Sequence, residues 1–350
     1  MSLFIILFIL IALFAVMDYY SQHNIGLFLS AIVLAVVAGI RYNVGYDYQS
    51  YYWYYQSGLQ SAKFQWGFTL LNKLAQSVHL SVFDFQLLFS CLTIGLLVYF
   101  LYKYIPLSLR CFAILYYFSR FYWTRDLGQI RSSLASVICL YSLKYIKEKR
   151  PIAFLVTILI AGGIHKGAYI FVFAYIMANL LNKNLSTLKT TIFLLGSLVL
   201  GEVLQHIPSL VAKITGGGVY ITNKYVIDTS TASSMTLIMQ VIIIIAYVLL
   251  KKYQQINDKE MDAIANVYLT GVIVAVLFIG YKTFAYRLDT ILNTTEIILV
   301  PYMIQRVFKN RFLVILVNII VSAFILYLIM FVSKGYLNFI PFNTIFSPIK

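Results

Sequence analysis

Hydrophobic residues in this chain lie in long continuous runs, and polar residues are confined to the stretches between them. The runs are roughly 15–22 residues long, the length of helix that crosses a bilayer core about 30 Å thick. Because lipid offers the backbone no hydrogen-bond partners, each run is predicted to form a transmembrane helix. The runs do not alternate between apolar and polar residues, so a membrane β-barrel is excluded.

The pattern predicts an all-α fold, a polytopic transmembrane helical bundle of about twelve spans. A short external helical or re-entrant segment is expected after the second span, and residues 1–350 are expected to form a single domain. The predicted spans are 2–17, 25–40, 82–102, 107–123, 127–146, 151–164, 167–182, 190–205, 235–251, 261–280, 289–306 and 312–332.

Composition supports a membrane protein and limits its partners. Charged residues make up only 11% of the chain, against about 25% in a soluble domain. The first run, Leu3–Met17, lacks a charged start and an A-x-A-like cleavage site, so it is predicted to be a retained helix. No C-x-x-C pair is present, so neither a zinc site nor a disulfide framework is expected. The net charge of +15 indicates anionic partners, with membrane lipids as the simplest; we expect no nucleic acid, metal or cofactor.

Basic clusters in short loops predict the orientation. Lys147–Arg150, Lys251–Lys252 and Arg306–Arg311 fall on one side of the twelve-span arrangement, and that side is predicted to be cytoplasmic. Both termini are then external. So are three longer segments: Arg41 to about Ser81, His206–Ser234 and the tail after Phe331.

Ionisable residues beside apolar spans are energetically costly and often functional. On the predicted external side they include Arg41, Asp47, Arg125, Asp126, Arg131, His165, Lys166, Lys282, Arg287 and Asp289. Arg41 ends the second span within Gly39–Asp47, where two glycines, the arginine and the aspartate indicate a specific turn. A snorkelling arginine would not need these neighbours, although that interpretation stays open.

Arg125 and Asp126 lie in the predicted turn before the fifth span. If that helix begins near Asp126, Arg131 lies more than one turn inside it and should face a polar cavity. Small residues follow at Ser132–Ser136 and would let helices approach closely. Alternatively, Asp126 only neutralises Arg125.

Two further turns carry candidate residues. His165 and Lys166 follow the short span Pro151–Ile164, whose 14 residues reach only about 21 Å, so their turn is expected in a depression below the outer surface. Lys282, Arg287 and Asp289 are predicted to join the tenth and eleventh spans, and the deeper Glu296 is a candidate partner for one of the arginines.

The segment Tyr51–Tyr55 is entirely aromatic. It is interpreted either as an interfacial belt or as a platform for sugar rings, with Tyr51 a candidate contact.

These residue types suggest phosphate chemistry. Guanidinium groups bind phosphate bidentately and stay charged when partly buried. Two or three of them suit a pyrophosphate, whose departure requires charge neutralisation. Metal ions often supply that neutralisation, but the sequence offers no paired acidic site, so the arginines are expected to take this role. A carboxylate or histidine near them would deprotonate an incoming hydroxyl.

Several segments resemble the EpsG/Wzy-type family of bacterial polysaccharide (O-antigen) polymerases. Arg41–Tyr51 is similar to its R-Y-x-V-G-x-D-Y-x-x-Y signature, Ile130–Ala135 to its I-R-x-x-L-A helix start, and Ile164–Lys166 to its histidine hairpin. Ile340–Thr344 is similar to its late Y-P-Y motif, but has Phe342 in place of the second tyrosine.

The resemblance implies a glycosyltransferase that joins undecaprenyl-diphosphate-linked oligosaccharides on the periplasmic face of the bacterial inner membrane. Arg41, Arg131 and Arg287 would bind the diphosphate, and Asp47 or His165 would act as the base or as an orienting group. The substrate path would be shaped by Arg125, Asp126, Lys166, Lys282, Asp289 and Tyr51. A chain-length regulator protein is a possible partner.

Two other classes stay open. A flippase for the same lipid-linked units would also need about twelve helices, but it should carry cations along a central lumen in two similar halves. A membrane O-acyltransferase would need a buried histidine near an intracellular acyl donor, whereas His165 falls on the predicted external side.

Overall fold

The computed structural model describes residues 2–60, 64–180, 185–215 and 231–346. The fold is 82% helical, and the described residues contain no β-strand, so the all-α prediction is confirmed. The α-helices are α1 (Ser2–Ser21), α2 (Ile25–Ile40), α3 (Tyr48–Gln56), α4 (Trp66–Ser77), α5 (Val82–Tyr104), α6 (Leu107–Tyr117), α7 (Trp123–Arg125), α8 (Ile130–Lys147), α9 (Pro151–Ile164), α10 (Phe171–Leu180), α11 (Thr187–Gln205), α12 (Pro208–Thr215), α13 (Thr231–Gln254), α14 (Lys259–Leu277), α15 (Lys282–Leu292), α16 (Glu296–Val307), α17 (Arg311–Tyr327) and α18 (Tyr336–Phe339).

Short stretches of other helical types join some of these helices. A π-helical turn, Phe118–Tyr122, connects α6 to α7, and another, Leu328–Val332, extends α17. Turns of 3₁₀-helix, Lys166–Ile170 and Asn293–Thr295, lead into α10 and α16.

Six of the described helices are long and apolar enough to cross a membrane. They are Leu3–Ser21, Val82–Tyr104, Thr187–Gln205, Met235–Gln254, Lys259–Leu277 and Arg311–Val332. The predicted spans 25–40 and 151–164 coincide with shorter apolar helices. The count of about twelve spans stays a prediction. Helices α3 and α4 occupy the connection after the second span, and their external position also stays a prediction.

The chain divides into two compact units by its contacts. That residues 1–350 form a single domain stays a prediction. The first unit comprises Met1–Tyr141, Leu159–Lys166 and Ile304–Lys350. Within it, α2 packs closely along α5, because Gly39 has no side chain and a Cβ there would lie 2.3 Å from Leu87 Cδ1. The buried Asp18 carboxylate accepts from the Gly26 and Leu27 amides at 2.7 Å, which satisfies two donors at the start of α2.

The second unit comprises Ser142–Ile158 and Gly167–Met303. Most residues of α14 are buried, and α10, α11, α13 and α15 pack around it. The buried Asp262 of α14 accepts from Lys251 Nζ at 2.5 Å and from the Tyr247 hydroxyl at 2.7 Å. A buried charge is therefore paired within this unit.

One predicted turn is a helix. Lys282, Arg287 and Asp289 lie in α15, whereas the sequence pattern predicted a loop joining two spans. The real turn is confined to residues 278–281, where the Phe278 carbonyl accepts from the Tyr281 amide at 2.8 Å. No glycine or proline occurs from Tyr281 to Leu292, so the chain re-enters a helix at once. The loop between His206 and Ser234 was predicted to be external, and its residues 216–230 lie outside the described part of the chain.

Candidate functional site

Arg41 is buried in the first unit at the end of α2. Its backbone is extended, with φ −63° and ψ 145°, which ends the helix. The Gln86 amide donates to the carbonyls of Gly39 and Arg41, at 2.7 and 2.8 Å, and so satisfies the end of α2. The guanidinium donates from Nη1 to the Ala38 carbonyl and lies 5.9 Å from the centroid of the Tyr48 ring.

Arg41 stays charged although only 2% of it is exposed. Burial lowers its pKa to about 10, and the nearby Tyr122, Tyr48 and Asp126 act in the opposite direction. Among the described residues its Nε has no hydrogen-bond partner. A buried cation with an unused donor suits an anionic ligand.

The turn after Arg41 packs directly on the segment that carries Arg125 and Arg131. Gly45 has φ +105°, and a Cβ there would lie 1.9 Å from the Leu127 carbonyl oxygen. A Cβ at Gly128 would lie 2.9 Å from the Tyr46 ring. The predicted specific turn is therefore a close backbone contact that only glycine permits.

A C-terminal strap, residues 338–345, runs along the same turn. The Tyr42 amide donates to the Asn343 carbonyl at 2.9 Å, and the Ile345 amide to the Ile40 carbonyl at 2.9 Å. These bonds form an antiparallel bridge between Arg41 and Thr344. The segment Ile340–Thr344, which departs from the family motif at Phe342, thus supports the backbone of Arg41.

Asp126 joins two helices through its carboxylate. It is 3% exposed and accepts from the Tyr117 hydroxyl at 2.6 Å and from the Ser133 hydroxyl at 2.9 Å. Burial raises its pKa to about 6, and these hydroxyls together with Arg125 oppose that rise. Asp126 therefore does more than neutralise Arg125, whose guanidinium lies 4.1 Å from the centroid of the Phe121 ring.

Arg131 lies in a cage of aromatic rings. Its Nη1 donates to Gln65 Oε1 at 2.6 Å, and its guanidinium lies 4.0 Å from the Phe64 centroid, with the rings of Tyr51 and Phe68 at 5.6 and 5.7 Å. Cation–π contact of this kind stabilises a partly desolvated guanidinium. Among the described residues, Arg131 Nε has no hydrogen-bond partner.

One expectation for Arg131 is corrected. Helix α8 begins at Ile130, not near Asp126, so Arg131 lies in its first turn. The delay follows from Gly128, which interrupts the helix and lets the Gln129 amide reach back to the Thr124 carbonyl at 3.1 Å. The described contacts of its guanidinium are aromatic faces and one amide oxygen, and the polar cavity stays a prediction.

Helix α3 connects the two arginines. The Tyr51 ring lies 5.6 Å from the Arg131 guanidinium, and the Tyr48 ring, three residues earlier, lies 5.9 Å from the Arg41 guanidinium. The Tyr51 hydroxyl also points to Asp47 Oδ2 at 3.5 Å, beyond an ordinary hydrogen bond. Asp47 is half-buried, and although it precedes α3 its side chain makes no capping bond. Its carboxylate is therefore not committed to the helix end.

The aromatic segment after Asp47 has two faces. Tyr54 and Tyr55 are buried, whereas Trp53 is 59% exposed. The Tyr54 hydroxyl pairs with Thr69 Oγ1 at 2.8 Å, and the Tyr55 hydroxyl donates to the Leu80 carbonyl at 2.8 Å. One face of α3 is therefore buried in the core, and only its exposed face could form an interfacial belt or a platform for sugar rings.

The turn that carries His165 packs on the start of α4. A Cβ at Gly163 would lie 2.4 Å from the Trp66 ring, and one at Gly67 would lie 2.8 Å from the Gly163 carbonyl oxygen. Gln65, which holds Arg131, directly precedes this helix. His165 is half-buried and Lys166 is exposed. The structure thus brings the turn that carries His165 to α4, next to Gln65 and Phe68, which contact Arg131.

The three remaining candidates belong to the second unit and share α15. Asp289 is 2% exposed, Arg287 is half-buried, and the side chain of Lys282 lies outside the described part of the structure. Glu296 is fully buried, and its Oε1 accepts from the Tyr268 hydroxyl at 3.1 Å. The hypothesis that Glu296 holds one of the arginines stays a prediction.

Sequence reasoning overlooked Arg120. It is 1% exposed, lies in the π-helical turn, and places its guanidinium 5.0 Å from the Phe121 centroid, so Phe121 has two arginines on it. The signal was available, because an arginine inside a predicted span is costly and functional by default. π-Helical turns are also frequent at functional sites.

Together, the fold and the buried arginines define a multi-pass helical membrane protein with a cationic site at the ends of its helices. The EpsG family model matches residues 24–344, which include every candidate residue, and the chain belongs to the EpsG family. The predicted resemblance is thereby confirmed. Family membership supports a polysaccharide polymerase-type membrane protein. No curated protein and no solved structure matches the chain at a significant level.

Proposed function

We propose that this protein is an O-antigen or exopolysaccharide polymerase that joins undecaprenyl-diphosphate-linked oligosaccharide repeat units. It would act in the bacterial inner membrane with its site facing the periplasm, without a metal ion. A hydroxyl of the incoming unit attacks the anomeric carbon of the growing chain. The bond from that carbon to the diphosphate breaks, and undecaprenyl diphosphate leaves.

The observation that supports this proposal best is the pair Arg41 and Arg131. Two distant segments bring Arg41 to Tyr48 and Arg131 to Tyr51 on the same helix, α3, and each arginine keeps an unused Nε donor among the described residues. Neither is paired with a carboxylate there. Two guanidinium groups with free donors match a diphosphate, whose negative charge grows as it departs.

The other residues receive roles by their surroundings. The incoming hydroxyl gives its proton to Asp47, whose carboxylate makes no capping bond, or to His165, on the turn that packs against α4. Arg125 and Asp126 hold the segment on which the Arg41 turn rests, and Lys166 extends the positive charge to the surface. The roles predicted for α15 in the second unit, diphosphate binding for Arg287 and substrate binding for Lys282 and Asp289, stay predictions.

The test is polymerisation by purified protein in lipid nanodiscs, with lipid-linked repeat units as substrate. Arg41→Ala and Arg131→Ala combined should abolish long products. Arg110→Ala is the matched control, because Arg110 also stacks on a tyrosine, 5.1 Å from the Tyr102 centroid, but lies in the first turn of α6, before the π-helical turn that leads to Arg125. Products of near-normal length from the double variant would refute the proposal.

An experiment in cells distinguishes a polymerase from a flippase. In a deletion strain, lipid-linked single repeat units should accumulate on the periplasmic side of the membrane. Accumulation on the cytoplasmic side would favour the flippase.

A further inference from the structure

An apolar groove lies between α4 and α5 in the first unit. Its volume is about 390 Å³. Its walls are formed mainly by Leu71, Leu74, Phe85, Leu88, Phe89 and Leu92. Leu74 and Leu88, one on each wall, are 55% and 54% exposed, so the groove is open along its length.

The groove offers hydrocarbon surface and almost no hydrogen-bonding groups. Ser77 is the polar residue in its lining, and its hydroxyl already donates to the Leu74 carbonyl at 2.8 Å. A sugar or a peptide would leave its polar groups unsatisfied there, at a cost of about 1–3 kcal/mol for each. The fitting occupant is a hydrocarbon chain.

The exposed walls of the groove are expected to face the lipid. Helix α5 is one of the helices long and apolar enough to cross the membrane. On α4, Trp66, Leu70 and Leu74 recur every four residues on one face and are 61%, 48% and 55% exposed. An apolar stripe of this kind is typical of a helix that lies in the membrane interface. A lipid chain can therefore enter the groove sideways from the bilayer.

One ring separates the groove from the cationic site. Phe85 and Phe89 line the groove, and their centroids lie 6.1 and 5.8 Å from the centroid of Phe68. The same Phe68 ring lies 5.7 Å from the Arg131 guanidinium. The Phe68 ring thus lies between the lining of the groove and the Arg131 guanidinium.

We propose that this groove binds the polyprenyl chain of the lipid-linked substrate and so holds its diphosphate at Arg131. The inference rests on the proposed function. The charge pattern favours this occupant over an ordinary phospholipid, because a diphosphate gives Arg131 and Arg41 a stronger anion than a single phosphodiester does. Hydrocarbon gains little by moving from lipid into a leucine-lined groove. The groove therefore acts by positioning the chain near its charged end.

Kinetics test this role. Leu74→Trp with Leu88→Trp fills the groove from both walls. Leu70→Trp is the matched control, because Leu70 lies one turn earlier on the same face of α4 but does not line the groove. With a long polyprenyl donor, the double variant should lower kcat about tenfold with little change in KM, whereas a short-chain donor should show little change in either. Equal losses of kcat for both donors, or the same effect from Leu70→Trp, would overturn the proposal. Thermal unfolding of each variant confirms that it is folded.

Photolabelling separates this inference from the proposed function. A polyprenyl diphosphate with a photoreactive group on its chain, and no sugar, is crosslinked to the wild-type protein in nanodiscs and mapped by mass spectrometry. Labels on α4 and α5, competed by unlabelled polyprenyl diphosphate but not by phospholipid, support the groove even if no polymer forms. Labels elsewhere in a protein that polymerises, or labels competed equally by phospholipid, would refute the groove and leave the polymerase intact.

Discussion

Gly45→Ala should break the site without touching any charged group. Gly45 has φ +105°, outside the region that residues with a Cβ favour, and the strain costs about 1–3 kcal/mol. The new Cβ would also lie 1.9 Å from the Leu127 carbonyl oxygen. Ordinary carbon–oxygen contact is about 3.3 Å, so the turn would have to move by roughly 1.4 Å. A displacement of about 1 Å at a reacting group costs on the order of 100-fold in rate.

Polymer length in complemented cells and initial rates of the purified protein measure this effect. Gly58→Ala is the control, because Gly58 lies in the same connection with φ +63° but has no atom within 4 Å of an added Cβ. Gly58→Ala should carry strain alone and keep long products. If Gly45→Ala retained wild-type rates, the contact between the Arg41 turn and Leu127 would have no part in building the site.

Three other outcomes are expected. Arg131→Lys should lower the polymerisation rate at least tenfold at unchanged thermal stability, because lysine cannot both stack on the Phe64 ring and present a planar fork of donors. Gln65→Ala should have a smaller effect, and initial rates with melting curves measure both variants. Burial raises the pKa of Asp126 to about 6, from 3.8 in the unfolded chain, so the free energy of unfolding should fall by about 3 kcal/mol as pH rises from about 4 to 6 and then level off. Unfolding curves in detergent should show this fall for the wild type and not for Asp126→Asn. Ile345→Pro removes the amide that donates to the Ile40 carbonyl, and it should shorten the products at normal expression, as seen by gel analysis.

The helices were largely predictable because hydrophobic runs are strong signals. Residues 25–40 and 151–164 were predicted at their observed bounds, since each run is free of charged residues and is followed by Arg41 or His165. The entry into α8 was misplaced, because Gly128 delays the helix by a local backbone arrangement that hydropathy does not register. The turn at Lys282–Asp289 was wrong for a related reason, since polar residues in a membrane protein also occur in helices.

The site was predictable as residue types but not as contacts. Arg41, Asp47 and Arg131 stood out because charge is costly beside apolar runs. The support of Arg131 by Gln65 depends on side chains that meet across 66 positions of chain, which no local pattern encodes. The strap over Arg41 likewise joins residues from opposite ends of the sequence.

The way the arginines are held bears on what they can bind. A guanidinium paired with a carboxylate is stable when buried, but its charge and donors are then consumed. Arg131 is held instead by Phe64 and by one amide oxygen, and Arg41 by a carbonyl and the Tyr48 ring. Aromatic faces supply about 0.5–2 kcal/mol each and leave the charge and the donors in the guanidinium plane unused. A site built in this way holds its cations in place before the anion arrives, which is the arrangement that favours a departing diphosphate over a bound neutral sugar.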